Sequence, residues 1–186
     1  MTPPLSAAGR CLGTLGVVVS ISLLATGCQM NNPYKPTDPT EASKAATSLS
    51  SLPSLEDTKI QVDAAIAELG KQITALVPSV TWNWSDEDSR GGCHPPYEQS
   101  DGEQILLRNY LSAAPIPEQD WKQAYDLAKK TADSLGATHA TTFKDAPNDH
   151  DVQFSSSTGT VLRFGSKASA LITGSTGCRL PAVKHR

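Results

Sequence analysis

The stretch VQFSSSTGTVLRFGSKASALITG, residues 152–174, holds three short runs rich in Val, Leu, Ile, Phe and Thr, over 152–156, 160–166 and 168–174. Runs of that length and composition, separated by Gly, Ser and Lys, read as strands. Thr158-Gly159 between the first two is a hairpin turn signal, because glycine adopts positive φ without steric cost. A fourth run, 138–144, precedes them and reads the same way.

Working upstream, Pro115 and Pro117 introduce a helix whose Glu118 and Asp120 sit at its positive end and whose Lys129 and Lys130 lie further toward the negative one. Trp121, Ala124, Tyr125, Ala128, Ala132 and Leu135 recur at helical spacing as its buried face, and Gly136 suits the left-handed cap that stops it. Residues 104–112 read as one strand, and 80–85 as another with Val80, Trp82 and Trp84 on one face. Between them Asp86-Glu87-Asp88 and Gly91-Gly92-Cys93-His94-Pro95-Pro96 read as a long irregular connection. A first helix opens at Ser54, which caps it with Asp57 three residues on; Val62, Ile66, Leu69, Ile73 and Leu76 form its apolar stripe, and Pro78 ends it. Gly70 within that stripe leaves room for a strand to approach. The order helix, two strands, helix, three or four strands implies an α+β two-layer sandwich: an antiparallel sheet of about four to six strands with two helices packed on one face.

Further upstream the composition changes. Arg10 followed by the apolar run 12–25 has the form of a signal peptide, and the run is too short and Gly/Ser-interrupted to span a bilayer, which takes about 20 apolar residues. Ala25-Thr26-Gly27-Cys28 places small residues before a cysteine, in the manner of a lipobox. Small side chains let a peptidase reach the backbone, and the thiol accepts the lipid. The expected organisation is therefore a lipoprotein signal over 1–27, lipidation at Cys28, a flexible tether over 28–51, rich in Ser, Thr, Ala and Pro, and one domain over 52–186. The membrane, reached through the anchor at Cys28, is the first expected partner, and the outer face of the cell membrane the expected location.

The 186-residue chain carries 16 basic and 19 acidic side chains, a formal net charge of -3, and no Lys/Arg cluster, which argues against a nucleic-acid partner. With Cys11 inside the removed segment and Cys28 acylated, only Cys93 and Cys178 remain, in an oxidising compartment where two thiols usually pair. Such a bridge closes a loop of about 86 residues, worth up to about 4–5 kcal/mol in the chain-entropy description.

The lipobox cysteine, the long first helix, Thr81-Trp82 followed by acidic residues and Cys93, Trp121 opening the second helix, Gly136-Ala137-Thr138 at its end, and Ile172-Thr173-Gly174 before Cys178 together resemble the LppA-type lipoproteins of mycobacteria. The resemblance covers nearly all of the mature domain. It implies the fold, the envelope location and the disulfide; the family has no established activity, so it implies no catalytic residue.

No nucleophile elbow, phosphate-binding loop or zinc helix is present in the sequence, and neither a catalytic residue, a metal ligand set nor a cofactor is assigned. Cys93-His94 lacks metal-ligand spacing. Asp145-Ala146-Pro147-Asn148-Asp149-His150-Asp151 crowds carboxylates and an imidazole in what reads as a loop, able in principle to hold a divalent cation, though a solvated turn explains it better. Asp86-Glu87-Asp88 has the same reading as a wet strand end, and His139 is a surface or packed imidazole in a strand. Trp82 and Trp121 are expected to join sheet and helices; Trp84, if exposed, would mark a binding surface. The leading functional expectation is a non-enzymatic binding or scaffolding module for an envelope protein, lipid or glycan. Two others compete: a small envelope hydrolase built from loops 93–99 and 145–151, and a lipid carrier with an apolar cavity between sheet and helices.

Overall fold

In the computed structural model, which describes residues 36–185, the elements are α1 (Pro39–Leu49), α2 (Leu55–Leu76), β1 (Asn83–Ser85), β2 (Ser89–Gly92), β3 (Glu103–Leu106), β4 (Asn109–Ser112), α3 (Glu118–Ser134), β5 (His139–Ala146), β6 (Asp149–Ser155), β7 (Val161–Ser166) and β8 (Ala170–Ser175). The signal segment and Cys28 lie outside the described residues.

All strands join one antiparallel sheet in the order β1-β4-β8-β7-β6-β5, with β3 beside β8 and β2 beyond β3. Along β6, β7 and β8 every second residue is buried: Val152 and Phe154, Leu162 and Phe164, Ala170 and Ile172. That face meets α2 and α3, which also pack on each other, so the molecule is a two-layer α+β sandwich. The stripe of α2, Val62, Ile66, Leu69 and Ile73, is fully buried there, and Ala124, Ala128 and Ala132 let α3 lie close to the sheet. This packing occupies the interlayer space that a carried lipid would need.

Two sequence expectations fall short in number. The sheet has eight strands, not four to six, because two short pieces escaped the hydrophobic pattern. β2 is exposed at all four positions and contains Gly91 and Gly92; it is a strand only because β3 offers it a ladder. The single strand expected over 104–112 is two. Between Leu106↔Ser175 and Tyr110↔Ile172 one strand advances four residues against three on β8, a bulge that lets β3 turn toward β2 and β4 toward β1. Conversely, only Asn83–Ser85 of the expected strand 80–85 pairs.

There are also three helices, not two. Residues 39–49, expected to belong to the flexible tether, form α1, capped by Asp38, whose side chain accepts a bond from the Thr40 N–H. Its weak apolar content concealed it; Leu49 at its end is fully buried against Gly102, close to the Cys178 sulfur.

The capping of α2 is as the sequence suggests: the Ser54 hydroxyl oxygen accepts from the Asp57 N–H at 3.1 Å. Gly70 has a more specific role than close strand approach in general. A Cβ there would lie 2.5 Å from Cε1 of Tyr110 and 3.2 Å from Cδ1 of Trp82, so a helix glycine makes room for two aromatic rings.

Candidate functional site

α3 lies over β6 and β7 and stops short of β5. β5 is consequently the outermost strand, exposed at all eight positions, with no strand beyond it among the described residues. Between the overhanging strand and the helix runs a surface cleft of about 300 Å³, lined by Trp121, Lys122 and Tyr125 of α3, Thr142, Lys144 and Asp145 of β5, and Val152 of β6. At one end of it lies a buried imidazole. His150 is 6% exposed, its ring stacked on Trp121 at 4.2 Å between centroids, with Trp121 in turn stacked on Phe164 at 5.0 Å.

Both nitrogens of His150 face carboxylates. Nδ1 is 3.1 Å from Asp145 Oδ1 and Nε2 is 3.0 Å from Glu118 Oε2. The two carboxylates hold the ring from both sides and so clamp the first turn of α3 to the β5–β6 hairpin. The same Glu118 oxygen accepts the Asn148 backbone N–H at 2.6 Å, and this bond, aided by His150, holds the Glu118 carboxyl below the usual carboxylate range. Neither ring nitrogen is left to act on a ligand in the cleft.

The loop expected over 145–151 is a hairpin instead. β5 runs to Ala146 and β6 starts at Asp149, joined through Pro147 and Asn148, whose φ of 59° is the left-handed conformation that asparagine tolerates in turns. Strand alternation then sends its charges to opposite faces. Asp145 and His150 point to the helix side, whereas Asp149 pairs with Lys167 at 2.8 Å and Asp151 with Arg163 on the open side. Carboxylates so divided do not converge on one cation. A bulge at 142–144 brings Phe143 onto that open face too, under the Arg163 guanidinium at 5.0 Å from its centroid.

The other residues singled out by sequence have local duties. Cys93, just after β2, and Cys178, beyond β8, form a disulfide with Cα atoms 5.6 Å apart. Loop 93–99 lies at that pole, where Glu98 accepts the Thr37 N–H, whereas His150 lies at the opposite end of the β6–β8 ladder. Six strand residues, about 20 Å, thus separate the two loops that a hydrolase site was expected to combine. Asp86 turns the chain with φ 65° and accepts from the Asn109 amide. Asp88 accepts the Arg108 N–H and pairs with Lys59 of α2 at 2.9 Å. Trp84 is half-buried, packed against Tyr110 with the Arg108 guanidinium over its ring. His139 is an exposed residue at the start of β5.

Glu118, Lys122, Tyr125 and Thr142 were not anticipated as members of a site. Glu118 lies 32 positions from His150, and only packing reveals that pair. Asp145 opposite His150 was within reach, since Pro147-Asn148 is a turn signal that makes them cross-strand partners.

The LppA family, described as a lipoprotein confined to pathogenic Mycobacterium, matches residues 30–182. The chain belongs to the LppA family. A crystal structure of lipoprotein LppA from Mycobacterium tuberculosis superposes with a TM-score of 0.65 over 78% of this chain and 90% of that one, at 16% sequence identity. A DUF4853 family protein from Actinomyces odontolyticus aligns with a TM-score of 0.46 over 81% of this chain and 72% of its own, at 12% identity. No curated protein sequence matches the chain. Membership of the LppA family makes the chain a lipoprotein, and the likeness to the M. tuberculosis protein is one of fold.

Proposed function

We propose that this LppA-family chain is exported behind residues 1–27, cut before Cys28, acylated there and held at the outer face of the cell membrane, where its domain acts as a non-enzymatic binding module for an extended segment of an envelope protein. The observation that carries the binding role is β5: eight consecutive exposed residues at a sheet edge whose outer backbone groups have no ladder partner among the described residues, beside a cleft with Trp121 and Tyr125 in its wall. Unpaired strand edges are templates for another chain, main-chain bonds supplying affinity and adjacent pockets selectivity. The clamped His150 keeps the β5–β6 hairpin seated on α3, which fixes the width of the cleft. The anchor rests on family membership and on the small residues before Cys28.

A photo-crosslinking residue at Thr141 tests the edge in cells, with one at exposed Lys71 of α2 as control. A discrete protein adduct from Thr141 alone is expected. Proline is then placed in turn at His139 and Ala140, because successive residues aim their N–H to opposite sides of a strand; one of the two leaves the β5–β6 ladder whole yet abolishes the adduct. Adducts indifferent to both prolines would refute strand addition. For the anchor, the intact mass of the mature protein should show acyl chains at position 28; an unmodified thiol there would sink it.

A further inference from the structure

At the pole opposite the His150 clamp, Arg179 is 3% exposed and pairs with no carboxylate among the described residues. Its backbone is pinned to Glu103 through the bonds Glu103 N–H to Arg179 oxygen, 2.8 Å, and Arg179 N–H to Glu103 oxygen, 2.9 Å. The Glu103 side chain turns away to Arg90, and nearby Glu56 accepts the Ala182 N–H, so neither neutralises it. The guanidinium instead donates to neutral oxygens: Nη1 to the carbonyls of Thr158 and Cys178, both 2.7 Å, and Nη2 to the hydroxyls of Thr158 at 3.0 Å and Thr160 at 2.8 Å. Nε finds no acceptor among the described residues.

An arginine stays protonated under ordinary conditions, so this is a buried positive charge without a counter-charge among the described residues, which is costly in a low-dielectric surrounding. Burial accordingly pushes the Arg179 pKa below the usual arginine value. A cleft of about 140 Å³ opens against this side chain, lined also by Leu52, Thr58, Gln61, Thr158 and Thr160. The lining hydroxyls of Thr58 and Thr160 already donate to the Ser54 and Thr176 carbonyls, so toward an anion the guanidinium charge supplies the attraction and the Gln61 amide the directional donor.

We infer that this cleft is a binding site for a compact oxyanion of the phosphate class, taken either as free phosphate or as the phosphate of a lipid head group. The site is separate from the β5 edge, and its test does not depend on strand addition. Thermal unfolding of the full-length chain in detergent is followed while sodium phosphate replaces chloride at constant ionic strength, and again with glycerophosphoglycerol, a deacylated head group. A saturable rise of the midpoint with either compound, absent in chloride, supports the site. A response to inorganic phosphate alone assigns the free anion, whereas a response to the diester assigns the head group.

Two variants locate the effect. Arg179→Met should lose the response. Since that change can also prevent folding, Gln61→Glu is the decisive variant, because it alters a lining residue toward the surface and sets a carboxylate in the pocket. It should raise the midpoint in chloride and abolish the rise with phosphate. A wild-type midpoint that follows phosphate no differently from chloride, or a Gln61→Glu variant that keeps the full response, would overturn the inference.

Discussion

Single side chains at the seam between helix and sheet govern how α2 docks. The Gly70 backbone faces the Tyr110 ring so closely that one added methyl overlaps it. Gly70→Ala should therefore destabilise the domain by about 1–3 kcal/mol, even though alanine favours a helix by up to about 1 kcal/mol over glycine. Urea midpoints of the two proteins decide the sign. A second residue ties stability to pH. Burial works against the charge of Asp88, but the Arg108 N–H and the Lys59 ammonium outweigh it, so its pKa in the fold lies below the ordinary 3.8. A depressed carboxyl contributes stability above its unfolded value and loses it as the pH falls through the folded one. Wild type should accordingly lose more stability than Asp88→Asn when the pH is taken from neutral to below 3.8, by up to about 1 kcal/mol given the partly exposed pair. Equal losses would mean that the contact with Lys59 and Arg108 is energetically idle.

Among the elements, α1 and β5 depart most from what their composition suggests. α1 is a short run of small polar residues, too short to persist alone in water, and it holds because Leu49 is buried beside Gly102 and the Cys93–Cys178 bridge. Leu49→Ala should cost about 2 kcal/mol or more and lower the urea midpoint of the whole domain in one transition. If instead only residues near α1 lose hydrogen-exchange protection while the midpoint stays, α1 is a peripheral attachment. β5 is the reverse case, a full-length strand with no described element covering it. Its bulge at 142–144 places Phe143 and Lys144 toward the same side, and such a kink with a lysine hinders indiscriminate edge pairing while leaving the straight portion 139–142 open.

Across the whole molecule the Cys93–Cys178 link fastens the β2–β3 flap and the end of β8 to one another, with a sequence separation of 85. Replacing both cysteines by serine should lower stability by up to about 4–5 kcal/mol, with the larger loss in the β2–β3 region by hydrogen exchange. The periodic elements were legible in the order of residues: the α2 stripe from Val62 to Ile73, the α3 face around Trp121, the left-handed cap at Gly136 with its φ of 71°, and the hairpin at Gly159. Each rests on neighbours within a few residues, where spacing and turn chemistry suffice. The expectation that Cys11 is removed and Cys28 acylated is also what singled out Cys93 and Cys178 as the pair. It took the folded chain to show that β2 exists, that 104–112 splits, that Glu118 closes on His150, that β5 overhangs α3, and that Arg179 lies buried with no carboxylate among the described residues. These depend on which surfaces end up covered by residues far away in the chain, and local pattern carries no record of what lies above a strand or opposite a charge.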